Sequence, residues 1–95
     1  MIIVTAPLIL WTGQSASWHF IAVPDEPSDQ IRAHAFAAPR GFGSVKVEAR
    51  IGDVAWRTSV FPQKSGNYLL PVKKVVRCRA GIAAGDEVTV ALDLV

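Results

Sequence analysis

The chain has 95 residues, room for one domain, and 51% of them are hydrophobic against 19% charged. That balance excludes a disordered tail, which needs low hydrophobicity and high net charge. Ten Lys and Arg against eight Asp and Glu leave a formal charge of +2, too small to argue for nucleic acid, and the single cysteine, Cys78, excludes an internal disulfide.

The opening Met1-Ile2-Ile3-Val4 is apolar but has no cationic flank and no small-residue cleavage site, so no secretory signal is expected. The apolar run stops at Trp11-Thr12-Gly13, short of the about 20 residues a helical membrane span requires. A cytoplasmic protein with no membrane partner is the expectation.

Ile2 to Trp11 is rich in β-branched and aromatic residues and predicts a strand; Thr12 to Ala16 is a turn and Ser17 to Val23 a second strand. Pro24-Asp25-Glu26-Pro27-Ser28 stops the sheet and starts a helix. Asp25 or Ser28 can cap it, and its acids suit the positive end of the helix dipole. Ile31, Ala35 and Ala38 mark its buried stripe, and Pro39-Arg40-Gly41 ends it.

Ser44 to Ile51 alternates, with Val45, Val47, Ala49 and Ile51 on one face and Lys46, Glu48 and Arg50 on the other. Gly52-Asp53 turns the chain into a strand over Val54–Phe61. A loop over 62–67 leads to the short strand Tyr68-Leu69-Leu70. Pro71 suits the first turn of a second helix, with Val72, Val75 and Val76 as its buried stripe and Gly81 at its end. Gly85-Asp86 precedes the last strand, Glu87 to Leu94.

Six strands and two short helices make a mainly β protein. Its halves echo each other: Phe20 to Pro24, a helix and Ser44 to Ile51 on one side; Tyr68 to Pro71, a helix and Glu87 to Leu94 on the other. Any strand–helix–strand unit has this outline. If the echo is a true repeat, it implies a closed or nearly closed six-stranded β-barrel with a pseudo-twofold axis, its helices serving as crossovers. Closure removes the exposed edges that a small β protein must otherwise protect.

Trp18-His19-Phe20, Gly41-Phe42-Gly43-Ser44-Val45-Lys46-Val47, Ile51-Gly52-Asp53, Trp56-Arg57-Thr58-Ser59-Val60-Phe61-Pro62, Tyr68-Leu69-Leu70-Pro71-Val72-Lys73, Val76-Arg77, Gly81-Ile82 and Gly85-Asp86 run through nearly the whole chain. On these segments the sequence resembles the bacterial family DUF1905, of domains of unknown function. The resemblance implies a small β-barrel with helical crossovers, and no catalytic residues. Some members continue into a segment similar to bacteriocin-protection proteins; this sequence stops at Val95 without it. Leu70 to Lys74 through Gly81-Ile82 to Gly85-Asp86-Glu87-Val88 is also similar to the strand–helix–strand element of AbrB-type regulators and MazE-type antitoxins, a folding unit shared by several barrels.

From Val54 to Gly85 there are six cations (Arg57, Lys64, Lys73, Lys74, Arg77, Arg79) and no acid. Lys73 and Arg77 share a helix face, and with Arg57 and Lys64 they form either a phosphate or carboxylate site or a solvated basic face. Arg40 to Val47 follows an RNA-binding signature at most positions, but Ser44 and Val47 stand where aromatics are required. Gly41 and Gly43 lack the third glycine of a dinucleotide fingerprint. His19, His34 and Cys78 show no zinc spacing, so no metal and no cofactor are expected. Cys78 sits between Arg77 and Arg79 without a base to activate it, and Ser59 has no evident triad partners. Trp11, Trp18 and Trp56 are expected to fill the core, or to line an opening beside His19 and Arg57.

The reading is a non-catalytic binding module for a small anionic ligand, with Trp18, His19, Arg57, Ser59, Lys64, Lys73 and Arg77 as ligand-contacting residues. The alternatives are a nucleic-acid binder using Lys73, Lys74, Arg77 and Arg79, or a protein-interaction module marked by an exposed apolar patch. A monomer and a homodimer are both compatible with the sequence.

Overall fold

The computed structural model describes residues 1–37 and 43–95. Its elements are β1 (Ile2–Thr12), β2 (Ser17–Ala22), α1 (Asp25–Ala37), β3 (Val45–Ile51), β4 (Val54–Pro62), β5 (Tyr68–Pro71), α2 (Lys74–Ala80) and β6 (Glu87–Leu94). Every neighbouring pair is antiparallel, and the order β1-β2-β5-β4-β3-β6 closes on itself. The fold is the expected closed six-stranded barrel with two helices.

Period-two patterning builds the core. Ile2, Val4, Ala6 and Leu8 of β1, Val45, Val47 and Ala49 of β3, and Val88, Val90 and Leu92 of β6 point inward and are buried. Each buried aliphatic side chain contributes roughly 1.5–3 kcal/mol of transfer free energy. The two-residue turn between Ile51 and Val54 has Gly52 at φ 58, the positive value a type II′ hairpin requires at that position.

The halves are related by a twofold in topology. Exchanging β1 with β4, β2 with β5 and β3 with β6 returns the same ring of neighbours. The hydrogen bonds repeat it. The Val23 N–H donates to the Tyr68 carbonyl at 2.8 Å, and the Val72 N–H donates to the His19 carbonyl at 3.0 Å. Thus Val23 corresponds to Val72 and His19 to Tyr68. Ser28 and Arg77, each five residues further on, donate to the Val23 and Val72 carbonyls respectively. β1 and β4 both change partner partway: β1 pairs with β6 up to Pro7 and with β2 from Leu8, and β4 pairs with β3 up to Val60 and with β5 at Phe61 and Pro62.

Several local expectations are corrected. Of the three tryptophans only Trp56 enters the core; Trp11 and Trp18 are 54% and 58% exposed. They share a face because they pair directly across the β1–β2 ladder, and β1 has by then run past its pairing with β6. Pro71 closes β5, where its missing N–H ends the ladder, and α2 begins only at Lys74. Val72 is buried ahead of the helix and Val76 within it, whereas Val75 faces outward. Ser28 does not cap α1. It is buried in the first turn, where its hydroxyl donates to the Val23 carbonyl and accepts the Tyr68 N–H. Gly81 ends α2 in the left-handed conformation, as expected. Ala38 and the expected stop at Pro39-Arg40-Gly41 lie outside the described residues.

Candidate functional site: an aromatic groove over the twofold

Outward-facing Trp11, Trp18, Phe20, Leu69, Pro71 and Phe61 of β1, β2, β5 and β4 line a groove of about 520 Å³; its polar members are Gln63 and His19, the latter on β2 with the parity of the buried Ile21. The registers explain the assembly. Trp11 lies opposite Trp18, Phe20 opposite Pro71, and Leu69 opposite Phe61. Because side chains alternate across a strand, these pairs all fall on the outer face, while Ile21, Leu70 and Val60 between them enter the core. The volume lies within the roughly 300–1,000 Å³ of small-molecule sites.

The groove straddles the twofold but is not symmetric. Trp18 precedes His19 as Asn67 precedes Tyr68. Trp11 opposes Trp18, and the Gln63 N–H donates to the Asn67 carbonyl at 2.8 Å. One half therefore supplies two indoles where the other supplies two carboxamides. Asn67 is turned away into the barrel end, donating to the Val23 carbonyl at 3.0 Å and to the Asp25 carboxylate at 2.8 Å.

His19 stands at the end of the groove nearest α2. Its imidazole is held below the ordinary histidine range, first by partial removal from water and second by the charge of Arg77. The neutral ring is thereby favoured at pH 7. One Arg77 guanidinium nitrogen donates to the Val72 carbonyl at 2.6 Å. Among the described residues Arg77 has no carboxylate partner, and no carboxylate lines the groove.

The seven residues read from the sequence do not converge. Trp18 and His19 line the groove, and Arg77 adjoins His19. Lys73 is exposed at the start of α2, two residues beyond the lining Pro71. Ser59 is half-buried on the outer face of β4, two residues before Phe61. Arg57 lies further along that face, 77% exposed, with its Nε 3.6 Å from the Glu48 carboxylate. Lys64 is in the β4–β5 loop beside α1, at the other end of the barrel from Lys73 and Arg77. Trp11, given from the sequence as filling the core or lining an opening, lines the groove, and the residues not singled out are Phe20, Phe61, Gln63, Leu69 and Pro71. Parity was the available signal: once Ile2 to Leu8 set the inward face of β1, Trp11 falls on the outward one.

A family model described as a domain of unknown function, DUF1905, matches residues 5–92. The chain belongs to the DUF1905 family. The stretch shared with DUF1905 contains both helices and every residue lining the groove. No curated protein matches the chain. Among the described residues no group of three His, Cys, Asp or Glu side chains gathers as metal ligands, and no helix is long and apolar enough to cross a membrane.

Proposed function

We propose that this DUF1905 domain is a non-catalytic binding module for a small anionic ligand with a flat apolar body. The observation that carries the reading is the groove itself. Trp11, Trp18 and Phe61 are large apolar side chains left substantially exposed around a concave surface. Clustered exposed apolar residues of this kind mark binding sites. The anionic part of the reading rests on charge: Arg77 and Lys73 flank the α2 end, and no acid occurs from Val54 to Gly85. The apolar body lies between the indoles and Phe61, and the charged group lies towards His19.

The test uses two fluorescent probes of similar shape, anionic 1-anilinonaphthalene-8-sulfonate and neutral N-phenyl-1-naphthylamine. Both should bind at one site and accept energy from tryptophan, and Trp18→Ala or Phe61→Ala should weaken both by about tenfold or more. Failure of both probes to bind, or binding indifferent to these substitutions, would remove the reading.

The exposed indole pair also favours a second reading, a protein partner seated on the same face, because Trp is enriched at the energetic centres of interfaces. A concentration-dependent change in sedimentation that Trp11→Ala and Trp18→Ala abolish together would favour that reading over a small ligand.

A further inference from the structure

The two halves differ at one point in a way that assigns chemistry. In the first, the Ser28 hydroxyl bridges two main-chain groups, accepting the Tyr68 N–H at 3.1 Å and donating to the Val23 carbonyl at 3.0 Å. Both polar groups are thereby satisfied inside the protein.

In the second half the corresponding groups are the His19 N–H and the Val72 carbonyl. Arg77, standing where Ser28 stands in the first half, donates to the Val72 carbonyl. A guanidinium has donors only, so it cannot accept the His19 N–H. That N–H is not used by β1. The Gly13 N–H donates to Ala16, which directs the even residues of β2 toward β1 and the odd ones, His19 included, toward β5. Val72 donates to His19 but accepts nothing from it. The His19 N–H has no hydrogen-bond partner among the described residues.

A main-chain donor and a guanidinium without a carboxylate partner therefore face the same space, beside the aromatic groove. Unpaired donors of this kind are what an oxyanion satisfies. We infer that the His19 N–H and Arg77 form a carboxylate-binding notch, in which a ligand oxygen accepts the His19 N–H as the Ser28 hydroxyl accepts the Tyr68 N–H in the other half, while Arg77 remains the donor to the Val72 carbonyl. The ligand class is an aromatic monocarboxylate, its ring on Trp18 and Phe20 and its carboxylate between the two donors. The inference rests on the groove being a binding site and adds to it the identity of the charged group and of its two donors. Arg77 and the His19 N–H contact the ligand; the His19 imidazole borders the notch as a neutral wall.

The experiment compares 2-naphthoate with its neutral isostere 2-naphthamide on ¹⁵N-labelled protein at pH 7.5. The expected result is that naphthoate binds at least about tenfold more tightly. It should also move the His19 amide proton strongly downfield, and clearly further than naphthamide, whose carbonyl can accept the same N–H but without the charge. Arg77→Ser reproduces the first half and lets its hydroxyl occupy the notch. It should keep a dispersed spectrum, move the His19 amide proton without ligand and bring the two affinities together. Arg77→Gln, which retains a donor for the Val72 carbonyl without the charge, should also equalise them and serves if the serine variant does not fold. Equal affinities in the native protein, with both probes in the groove, overturn the carboxylate notch and leave the groove standing. Failure of both probes to bind overturns both.

Discussion

The β1–β2 and β4–β5 hairpins occupy equivalent places in one barrel and differ on the outer face and at the junction with the following helix. Their inner residues, Ile21 and Leu70, are both fully buried, and their ladders to the neighbouring helix linkers use matching hydrogen bonds. On the outer side, Trp11 and Trp18 in one hairpin stand where the other has Gln63 and Asn67. Below them, His19 and Arg77 stand against Tyr68 and Ser28. The second set forms a closed polar account: Ser28 is satisfied twice, Asn67 bonds into α1, and Tyr68 is buried. The first set leaves indoles in solvent and donors unused. A fold that has solved the same junction once with an internal hydroxyl retains an open version where binding is proposed.

The largest test of this correspondence is in the core. Ile21→Ala and Leu70→Ala should each lower stability by about 2–5 kcal/mol in chemical denaturation, and by similar amounts, because both delete a fully buried aliphatic side chain at equivalent positions. A difference greater than about 2 kcal/mol would mean that the halves are not energetically equivalent.

An intermediate effect is expected at Ser28. Ser28→Ala leaves the Tyr68 N–H without its acceptor and should cost about 1–3 kcal/mol. Arg77→Ser should cost clearly less, since the hydroxyl gains the His19 N–H that arginine leaves unused. Matched urea titrations of the two variants give the comparison directly.

The smallest effect is a pH dependence from His19. Its pKa is lowered from 6.5 in the folded protein, so the unfolded chain binds the extra proton more readily. Its contribution to stability is accordingly present above pH 6.5 and declines as pH falls through that value. His19→Gln should flatten the stability profile there, and no change in slope would mean that the folded protein does not depress this histidine.

The barrel was legible because its strands obey a strict period of two: Val45 to Ile51 and Val88 to Leu94 show their inward faces by alternation alone. The repeat was visible in the order strand, proline, helix, strand, and the family resemblance rested on motifs spread along the chain. The groove was harder to read because it depends on register. Which face Trp11 and Trp18 occupy is fixed by counting from Leu8, and that they meet Phe61 across β5 follows only from the pairing of Leu69 with both its neighbours' strands. Residue type left the indoles between the core and the wall of an opening, and only register separates the buried Trp56 from Trp11 and Trp18. The grouping of cations by sequence distance failed to separate Lys64 from Lys73, because the intervening β5 crosses the barrel from one end to the other.

The partner exchange along β1 bears on how the chain acquires its shape during synthesis. Ile2 is hydrogen-bonded in register with Leu92, and Met1 brings its ammonium 3.9 Å from Asp93. The first strand made must therefore wait, with half its length unpaired, until the last strand has left the ribosome. Contacts so distant in sequence make folding slow relative to a helical domain of this size. Until β6 arrives, the apolar stripe Ile2, Val4 and Ala6 has no lid, and this interval, rather than the finished barrel, is when the chain is most exposed to aggregation and to chaperones.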